Sequence, residues 1–161
     1  MVNSIIIDTS IGKLFIEETD GAITELSFAG DNTSISLSGS ITPVLEEAQS
    51  QIISYLEGKR TSFSLPLAPK GTAFQQKVWS ALLTIPYGQT ISYKELATRA
   101  GNPKACRAVG MANNRNPIVI IIPCHRVIGA DGRLVGYGGG LPLKETLLTL
   151  EGASFIPGKA H

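Results

Sequence analysis

The sequence predicts an α+β protein in which a small N-terminal domain of one sheet and one helix precedes a mostly helical C-terminal domain with a helix-turn-helix. Three observations support this fold class. Short β-branched segments fill the start of the chain, apolar residues recur at helical spacing after residue 72, and an extended stretch with two prolines at residues 59–71 separates the two patterns. We therefore expect a structural domain over residues 1–70 and a second domain over residues 71–161.

The N-terminal domain is predicted from three strands and a helix. Residues 2–9, 12–18 and 22–29 are rich in β-branched residues and separated by turn-prone ones, which indicates an antiparallel meander. A helix then begins at Pro43 and ends at Gly58, with its apolar residues on one face. This half has no histidine or cysteine, and we interpret its scattered acids as solvated surface.

The C-terminal domain is predicted to begin with a helix over residues 73–85. Thr72 precedes this helix, an apolar stripe that includes Trp79 runs along it, and Pro86 and Gly88 stop it. We interpret the stripe and its tryptophan as core packing.

Two short helices joined by a glycine-containing turn then predict a helix-turn-helix. Ser92 is a suitable N-cap for the first helix, with Glu95 completing a capping box, and the second helix covers residues 104–114 after Pro103 at its start. Lys104 and Arg107 lie near its N-terminus among small residues, which suits close approach to a phosphate-rich surface. The pattern favours DNA binding, although helix hairpins that bind no DNA share it.

Charge is distributed unevenly along the chain. Residues 1–70 carry four Lys/Arg against nine Asp/Glu, a net −5, whereas residues 71–161 carry ten against four, a net +6. This asymmetry indicates an anionic partner for the second domain. Chance, together with mutual attraction of the two halves, is the alternative explanation.

Composition excludes several classes of protein. The N-terminus MVNSIIIDTS lacks the basic segment and long apolar core of a signal peptide, and no apolar run approaches the ~18 residues of a membrane span. The two cysteines, Cys106 and Cys124, cannot form a disulfide framework and lack zinc-ligand spacing, so no metal site is predicted. We expect a cytoplasmic protein with free thiols.

The stretch IIIPCHRVI at residues 120–128 places Cys124 beside His125 at the predicted end of a buried strand. Cysteine chemistry needs the thiolate, and a free thiol with a pKa near about 8.5 supplies little of it at neutral pH. Histidine can take the proton directly or through a water, and the water-linked geometry is easier because neighbouring side chains of an extended segment point apart. We expect a sulfur held ionised in this way; a small buried hydrophobic cysteine is the alternative.

The histidine requires a carboxylate on its other ring nitrogen. The C-terminal domain contains four acids, which are Glu95, Asp131, Glu145 and Glu151. The predicted capping box uses Glu95, whereas Glu151 closes the last helix, where an acid opposes the helix dipole and needs another reason to be present. Glu151 is therefore our first choice.

A long motif surrounds the cysteine. PCHRV at residues 123–127 is preceded by Asn116-Pro117 and followed by the GYGGG loop at residues 136–140. With FQQKVWSALLTIPYGQTISYKELATRAGNPKACRAVG and LPLKETLLTLEG, it makes residues 72–161 similar to the O6-alkylguanine-DNA alkyltransferase family, also called methylated-DNA–protein-cysteine methyltransferases. Residues 1–70 fit the variable N-terminal domain of that family by length and strand-rich pattern.

The resemblance implies the chemistry of five residues. Cys124 matches the alkyl acceptor, and His125 matches the histidine that deprotonates it through a water. Glu151 matches the acid that orients this histidine, and Asn116 matches the residue that braces the turn around the cysteine. Tyr93 matches the tyrosine that bonds the flipped base and aids its departure.

The resemblance also implies a DNA surface and a base pocket. Arg107 matches the finger that fills the duplex space left by the extruded base, in the minor groove. The implied DNA-binding residues are Arg107, Tyr93, Lys104, Ala105 and Arg115. The implied pocket residues are Tyr137, Gly138, Val127 and Lys144. Arg126 is interpreted as supporting local structure.

The implied reaction moves an alkyl group, mainly methyl, from O6-alkylguanine in duplex DNA irreversibly to Cys124 after base flipping, with O4-alkylthymine as a further substrate. One protein then repairs one base without a cofactor, as a monomer that can assemble on DNA. The chain departs from the family at Cys106, where alanine is usual, and it lacks the zinc ligands of some relatives. A lesion-binding module with an inert cysteine and a thiol hydrolase remain alternatives.

Overall fold

The structure is a computed structural model, and it describes residues 1–29, 39–137 and 140–156. The chain forms two compact units, which comprise residues 1–70 with 117–121 and residues 71–116 with those from 122 onward. The described residues form two small sheets and five α-helices, so the predicted α+β fold class is confirmed. The sequence does not predict that residues 117–121 belong with the first unit, and a domain boundary at residue 70 stays a prediction.

The first unit is built on an antiparallel sheet of three strands. These are β1 (Val2–Thr9), β2 (Gly12–Thr19) and β3 (Ala22–Ala29), in that spatial order. The predicted meander is confirmed, with each strand within one residue of its predicted bounds. The turn between β2 and β3 holds Asp20 and Gly21 at φ of 53° and 88°, a left-handed conformation that glycine adopts without penalty.

Helix α1 (Pro43–Leu56) packs against all three strands. The hydroxyl of Thr42 accepts a hydrogen bond from the Leu45 amide at 3.4 Å and so caps the helix N-terminus. The buried residues of the helix are Leu45, Ala48, Gln51, Ile52 and Tyr55. Their spacing confirms the predicted apolar face and makes this face, with the sheet, the core of the first unit.

The isoleucine run before the cysteine is not the buried strand that the sequence predicts. Ile118 forms a parallel bridge with Leu26, whose amide donates to Pro117 and whose carbonyl accepts from Val119. The chain then turns, and Ile120 has a φ of 71°. A left-handed backbone costs a non-glycine residue about 1–2 kcal/mol. Ile120 is only 1% exposed, and this burial in the core overrides the β propensity of the run.

The second unit is mostly helical. Its helices are α2 (Ala73–Leu82), α3 (Tyr93–Arg99), α4 (Cys106–Asn114) and α5 (Leu141–Leu150). Strand β4 (Ile91–Ser92) pairs in parallel with β5 (Val127–Ile128), which directly follows a 3₁₀ turn at Cys124–Arg126. Within the described ranges no helix is both long enough and apolar enough to cross a membrane.

The helix caps differ in part from the sequence prediction. A full capping box joins Thr72 and Gln75 at the start of α2. The Ser92 hydroxyl caps α3 by accepting from the Glu95 amide at 3.1 Å, as predicted. The Glu95 carboxylate pairs instead with Arg99 Nε one turn along, at 3.1 Å, so the predicted capping box at α3 is wrong.

Three helix ends also differ from their predicted positions. Helix α2 ends at Leu82, three residues early, because the next residues form a turn. Helix α4 begins at Cys106, so Pro103 lies in the preceding turn, where the Ala105 amide donates to Asn102 at 3.0 Å. Helix α5 begins at Leu141 rather than at Lys144, where the segment KETLLTLEG predicts its start. Local turn hydrogen bonds, which periodicity does not reveal, set these ends.

Trp79 joins α2 to α4 in the core of the second unit. It is 2% exposed, and its indole nitrogen donates to the Ala112 carbonyl at 2.9 Å. A Cβ atom on Gly71 would lie 2.3 Å from the indole ring, so a side chain there would collide with it. The interpretation of Trp79 as a core residue is confirmed.

Candidate active site

Asn116 and a backbone turn fix the position of Cys124. Asn116 donates from Nδ2 to the Ile122 carbonyl at 2.7 Å, and the Cys124 amide donates to the same carbonyl at 2.8 Å. The Asn116 side chain also hydrogen bonds the cysteine sulfur. The structure therefore places Asn116 where the predicted brace requires it.

A buried ionic cluster lies directly beside the cysteine. His125 Nε2 is 2.8 Å from Glu151 Oε2, and Arg126 contacts both oxygens of the same carboxylate, from Nε at 2.8 Å and from Nη2 at 2.9 Å. The third guanidinium nitrogen of Arg126 donates to the Ile85 carbonyl at 2.7 Å. All three ionisable side chains are buried, so the geometry brings His125 and Glu151 together as the sequence predicts.

Glu151 defines which nitrogen of His125 can take a proton. A carboxylate accepts the hydrogen on Nε2, which leaves Nδ1 as the acceptor atom of the neutral ring. His125 Nδ1 is buried and has no hydrogen-bond partner among the described residues. Burial lowers the pKa of His125, with smaller lowering from Arg126 and Lys144, while Glu151 opposes the shift. The imidazole is therefore neutral at physiological pH, with Nδ1 as its acceptor atom.

The sulfur of Cys124 is not held ionised, contrary to the expectation from the sequence. Cys124 is only 4% exposed, and this burial raises the pKa of its thiol. The Asn116 hydrogen bond and the charge of Lys144 favour the thiolate but do not overcome desolvation. Cys124 is a thiol at neutral pH, and an acceptor must remove its proton for it to act as a nucleophile.

Tyr93 and Lys144 meet at one backbone carbonyl near the cysteine. The Tyr93 hydroxyl donates to the Val135 carbonyl at 3.2 Å, and Lys144 Nζ donates to the same oxygen at 2.8 Å and to the Gly136 carbonyl at 3.2 Å. Burial lowers the pKa of Lys144 to about 8, and burial raises the pKa of Tyr93, with a smaller contribution from the charge of the Cys124 thiolate once it forms. The charge of a Cys124 thiolate would act on both groups, so both lie near the sulfur.

The remaining predicted pocket residues are Val127, Tyr137 and Gly138. Val127 is fully buried in β5, where it pairs with Ile91 of β4. Tyr137 is half-buried at the end of the same loop as Val135. Gly138, which the sequence analysis also assigns to the pocket, lies outside the described residues.

The predicted DNA-binding residues lie on and around α4. Lys104, Arg107 and Arg115 are exposed, and Ala105 is half-buried just before the helix. A Cβ atom on Gly110 would lie 3.6 Å from the Tyr93 ring, an ordinary van der Waals distance, so the ring packs close to α4 at this glycine. The structure therefore connects the basic helix to Tyr93, whose hydroxyl donates to the Val135 carbonyl.

Two contributors to the site are missed by sequence reasoning. Arg126 shares the Glu151 carboxylate and lies 5.8 Å from the Tyr87 ring centre, so it is part of the ionic cluster and not merely a local support. The carbonyl of Val135 receives two donors. The four acids of this half could have indicated a partner for Arg126, whereas a backbone carbonyl leaves no signal in the sequence.

Two protein-family models match the chain. Residues 73–153 match "6-O-methylguanine DNA methyltransferase, DNA binding domain", and residues 3–69 match "6-O-methylguanine DNA methyltransferase, ribonuclease-like domain". Together the two models cover nearly the whole sequence, including the N-terminal half, for which the resemblance read from the sequence is weakest.

Curated relatives agree with these models. A protein of Methanosarcina barkeri named methylated-DNA–protein-cysteine methyltransferase is 49% identical over 149 residues, which cover 91% of this chain and 94% of the relative. A protein of Mycobacterium leprae with the same name is 49% identical over 153 residues, which cover 94% and 93% of the two chains.

Solved structures have the same fold. The Mycobacterium tuberculosis O6-methylguanine methyltransferase superposes with a TM-score of 0.82 at 44% identity, over 94% of this chain and 93% of that one. A complex of the Mycobacterium tuberculosis OGT with DNA superposes with a TM-score of 0.83 at 47% identity, over 91% of both chains.

Proposed function

This chain belongs to the 6-O-methylguanine DNA methyltransferase family, and from that premise we propose that Cys124 accepts the alkyl group of O6-alkylguanine. Family membership makes it a DNA-repair methyltransferase that binds DNA. One observation carries the proposal beyond that: a buried cysteine directly precedes a histidine whose Nε2 is tied to a buried glutamate.

The site supports removal of the thiol proton at the moment of reaction. A water can pass the Cys124 proton to His125 Nδ1, because Nε2 remains bonded to Glu151. The imidazolium that forms is stabilised by the Glu151 carboxylate, which Arg126 keeps ionised and fixed. The sulfur then forms a bond to the alkyl carbon while the carbon–O6 bond breaks and its electron pair leaves with the guanine.

Tyr93 is suited to meet the charge that develops on the leaving base. Its hydroxyl donates to Val135 in the structure, and Lys144 donates to the same oxygen. Because Lys144 also donates to that carbonyl, Tyr93 can turn to the base while the Val135 oxygen keeps a hydrogen-bond partner. Tyr93 is therefore proposed to donate to the flipped guanine, with Lys144 supporting the exchange.

The burial of Cys124 supports a base-flipping mechanism. The side chain of a residue that is only 4% exposed cannot reach a base stacked inside a duplex, so the alkylated nucleotide must leave the helix, at a cost of a few kcal/mol. Helix α4 of the helix-turn-helix presents Arg107 at its exposed start, where it can fill the vacated space from the minor groove. Lys104 and Arg115 then bind phosphates.

Replacement of Arg107 tests this part of the proposal. Arg107→Ala should slow transfer from duplex DNA roughly ten-fold while transfer from free O6-alkylguanine stays unchanged, since the free base needs no flipping. The two rates are measured by single-turnover kinetics. Equal slowing with both substrates would contradict the finger role.

The product is a thioether at Cys124, which no described side chain is placed to cleave, so each chain should react once. We propose mainly methyl transfer, with O4-alkylthymine as a second substrate, by a protein that is monomeric in solution, can assemble on DNA and acts in the cytoplasm. No cofactor takes part, since the acceptor is the chain itself.

Intact-protein mass measurement after incubation with a methylated duplex tests the function. The parent chain and Cys106→Ala should each gain one methyl group, whereas Cys124→Ala should gain none and still bind DNA. More than one transfer per chain would support a thiol hydrolase, and tight binding without a mass gain would support a lesion-binding module.

A further inference from the structure

The end of the described chain pairs with the loop that follows the cysteine. The Ile156 amide donates to the Gly132 carbonyl at 2.8 Å, and the Ile156 carbonyl accepts from the Leu134 amide at 3.0 Å. These two bonds form a parallel bridge between Arg133 and Ile156. We name residues 153–156 the C-terminal clasp and residues 132–136 the pocket loop.

Apolar contacts reinforce the clasp. Ile128, Leu134 and Leu148 form a buried cluster, against which Phe155 and Ala153 of the clasp are packed together with Leu141. A Cβ atom on Gly132 would lie 3.6 Å from Ile156 Cδ1, so the isoleucine covers the loop backbone at this point. The clasp therefore binds the start of the pocket loop through both its backbone and its side chains.

The far end of the pocket loop belongs to the active site. The carbonyl of Val135 accepts from Tyr93 and Lys144, and that of Gly136 accepts from Lys144. Both donors lie close enough to Cys124 for the charge of its thiolate to shift their pKa values. The loop thus has one end held by Ile156 and the other end held among the groups around the sulfur, with one residue, Leu134, bonded to the clasp immediately before Val135.

We propose that Ile156 is a positioning residue for alkyl transfer, whose pairing with the pocket loop sets where the Val135 carbonyl stands and so which alkyl groups react fastest. This inference rests on the proposed function. The loop contains Gly132 and Gly136, both at positive φ, and glycines leave a loop with much conformational freedom. Without the clasp, the Val135 carbonyl would sample several positions. The side chains of Tyr93 and Lys144, which donate to it, would then move with it.

The expected consequence is a change in substrate preference. Transfer from the small methyl group depends on close placement, and misplacement of about 1 Å can lower a rate by about 10²-fold. A bulky benzyl group fills a loosened pocket by itself and depends less on the loop. Weakening of the clasp should therefore slow methyl transfer more than benzyl transfer.

A matched pair of variants tests this. Ile156→Pro removes the amide that donates to Gly132, whereas Ile156→Val keeps it. In single-turnover assays with O6-methylguanine and O6-benzylguanine in the same duplex, Ile156→Pro should lower the methyl rate roughly ten-fold and raise the benzyl-to-methyl ratio several-fold. Ile156→Val should match the parent chain, and all three should bind unmodified duplex equally.

An unchanged ratio in folded Ile156→Pro, even with a lower melting temperature, would overturn the inference, since a purely structural role shifts stability and not preference. If the proline variant does not fold, Phe155→Ala provides the test. This variant keeps both backbone hydrogen bonds of Ile156 but removes the Phe155 ring from the apolar cluster. It should raise the benzyl-to-methyl ratio by a smaller factor. An unchanged ratio there would overturn the inference. Absence of transfer by the parent chain would instead overturn the proposed function.

Discussion

The sheet of the first unit and the turn around Cys124 are both buried, but with opposite energetic consequences. Leu14, Ile16 and Leu26 of the sheet have no exposed surface, and apolar burial of this kind stabilises the fold. Around Cys124 the buried groups are His125, Arg126, Lys144 and Glu151. Burying such ions is costly even when they are paired, so the cluster is better explained by chemistry than by stability.

The two regions also differ in how they treat a buried acid. Glu18 of the sheet accepts hydrogen bonds from the Asn3 side chain and the Gly21 amide, both neutral donors. Glu151 accepts from Arg126 and from His125, whose charge changes during the proposed reaction. Replacing each acid by its neutral amide shows whether the acid only accepts hydrogen bonds from local donors or also balances the charge of a cation.

The largest effect is expected from Glu151→Gln. It leaves Arg126 buried without a counter-charge, which should lower the free energy of unfolding by about 3–5 kcal/mol. It also deprives His125 of its orienting carboxylate, which should slow transfer about 10²-fold. Glu18→Gln is the matched control and should cost roughly 1 kcal/mol without changing the rate. Urea unfolding and single-turnover kinetics measure both; equal effects of the two variants would contradict the distinction.

Ile16→Ala should damage stability and spare chemistry. It removes a fully buried side chain at the centre of the sheet, paired with Ile5 and Leu26, and should lower the free energy of unfolding by about 2–5 kcal/mol. Assayed well below its melting temperature, the variant should transfer the alkyl group at the parent rate within about twofold. This is expected because the apolar core of the sheet supplies no group to the reaction. A large loss of rate in the folded variant would show that the sheet takes part in the chemistry.

The buried Lys144 should make stability depend on pH in a particular direction. Its pKa is about 8 in the folded chain and 10.5 as the reference value, so the unfolded chain binds the extra proton between these limits. Stability from this group therefore rises with pH from about 8 to 10.5 and is lowest below 8.

Comparison with Lys144→Met isolates this effect. The difference in unfolding free energy between the parent and Lys144→Met should change in favour of the parent by up to about 1.4 kcal/mol per pH unit over that range. Urea unfolding at a series of pH values measures the difference. A difference that is constant with pH would show that the lysine is not desolvated as the structure indicates.

The smallest effect concerns the shared Val135 carbonyl. If Lys144 keeps that oxygen bonded while Tyr93 turns to the base, Lys144→Met should slow transfer in the parent but much less in Tyr93→Phe, which has no hydroxyl to release. A double-mutant cycle on the transfer rate should give a coupling of about 1 kcal/mol. Strict additivity would show that the two donors act independently.

The first unit was largely predictable because its signals are local. Strands β1 to β3 follow alternating β-branched residues and turn-prone breaks, and α1 follows Pro43 and a regular apolar face. The same reasoning wrongly predicts a buried strand for the isoleucine run before Cys124. Its residues are buried as predicted, but Ile120 adopts a left-handed conformation, which an apolar run by itself does not reveal.

The site was predictable where few residue types could supply the chemistry. With four acids available in the C-terminal half, helix-dipole reasoning identifies Glu151, and the structure places it on His125. Backbone contributions were not predictable: the Val135 carbonyl and the Ile156 bridge involve no distinctive side chain. The prediction of an ionised sulfur at Cys124 was wrong because burial raises the pKa of its thiol, and the degree of burial is a property of the folded chain.

The pH dependence of the transfer rate tests the central claim most directly. Transfer is measured in single turnover with saturating methylated duplex from pH 5 to pH 7, a range in which Lys144, with a pKa of about 8, keeps its charge. If the proton passes from Cys124 to a neutral His125, no proton is exchanged with solvent before reaction, and the rate should stay constant until His125 is protonated, below its usual pKa because burial lowers it. A rate that instead rises tenfold per pH unit across this range would mean that solvent ionises the thiol, and the relay through His125 and Glu151 would be contradicted.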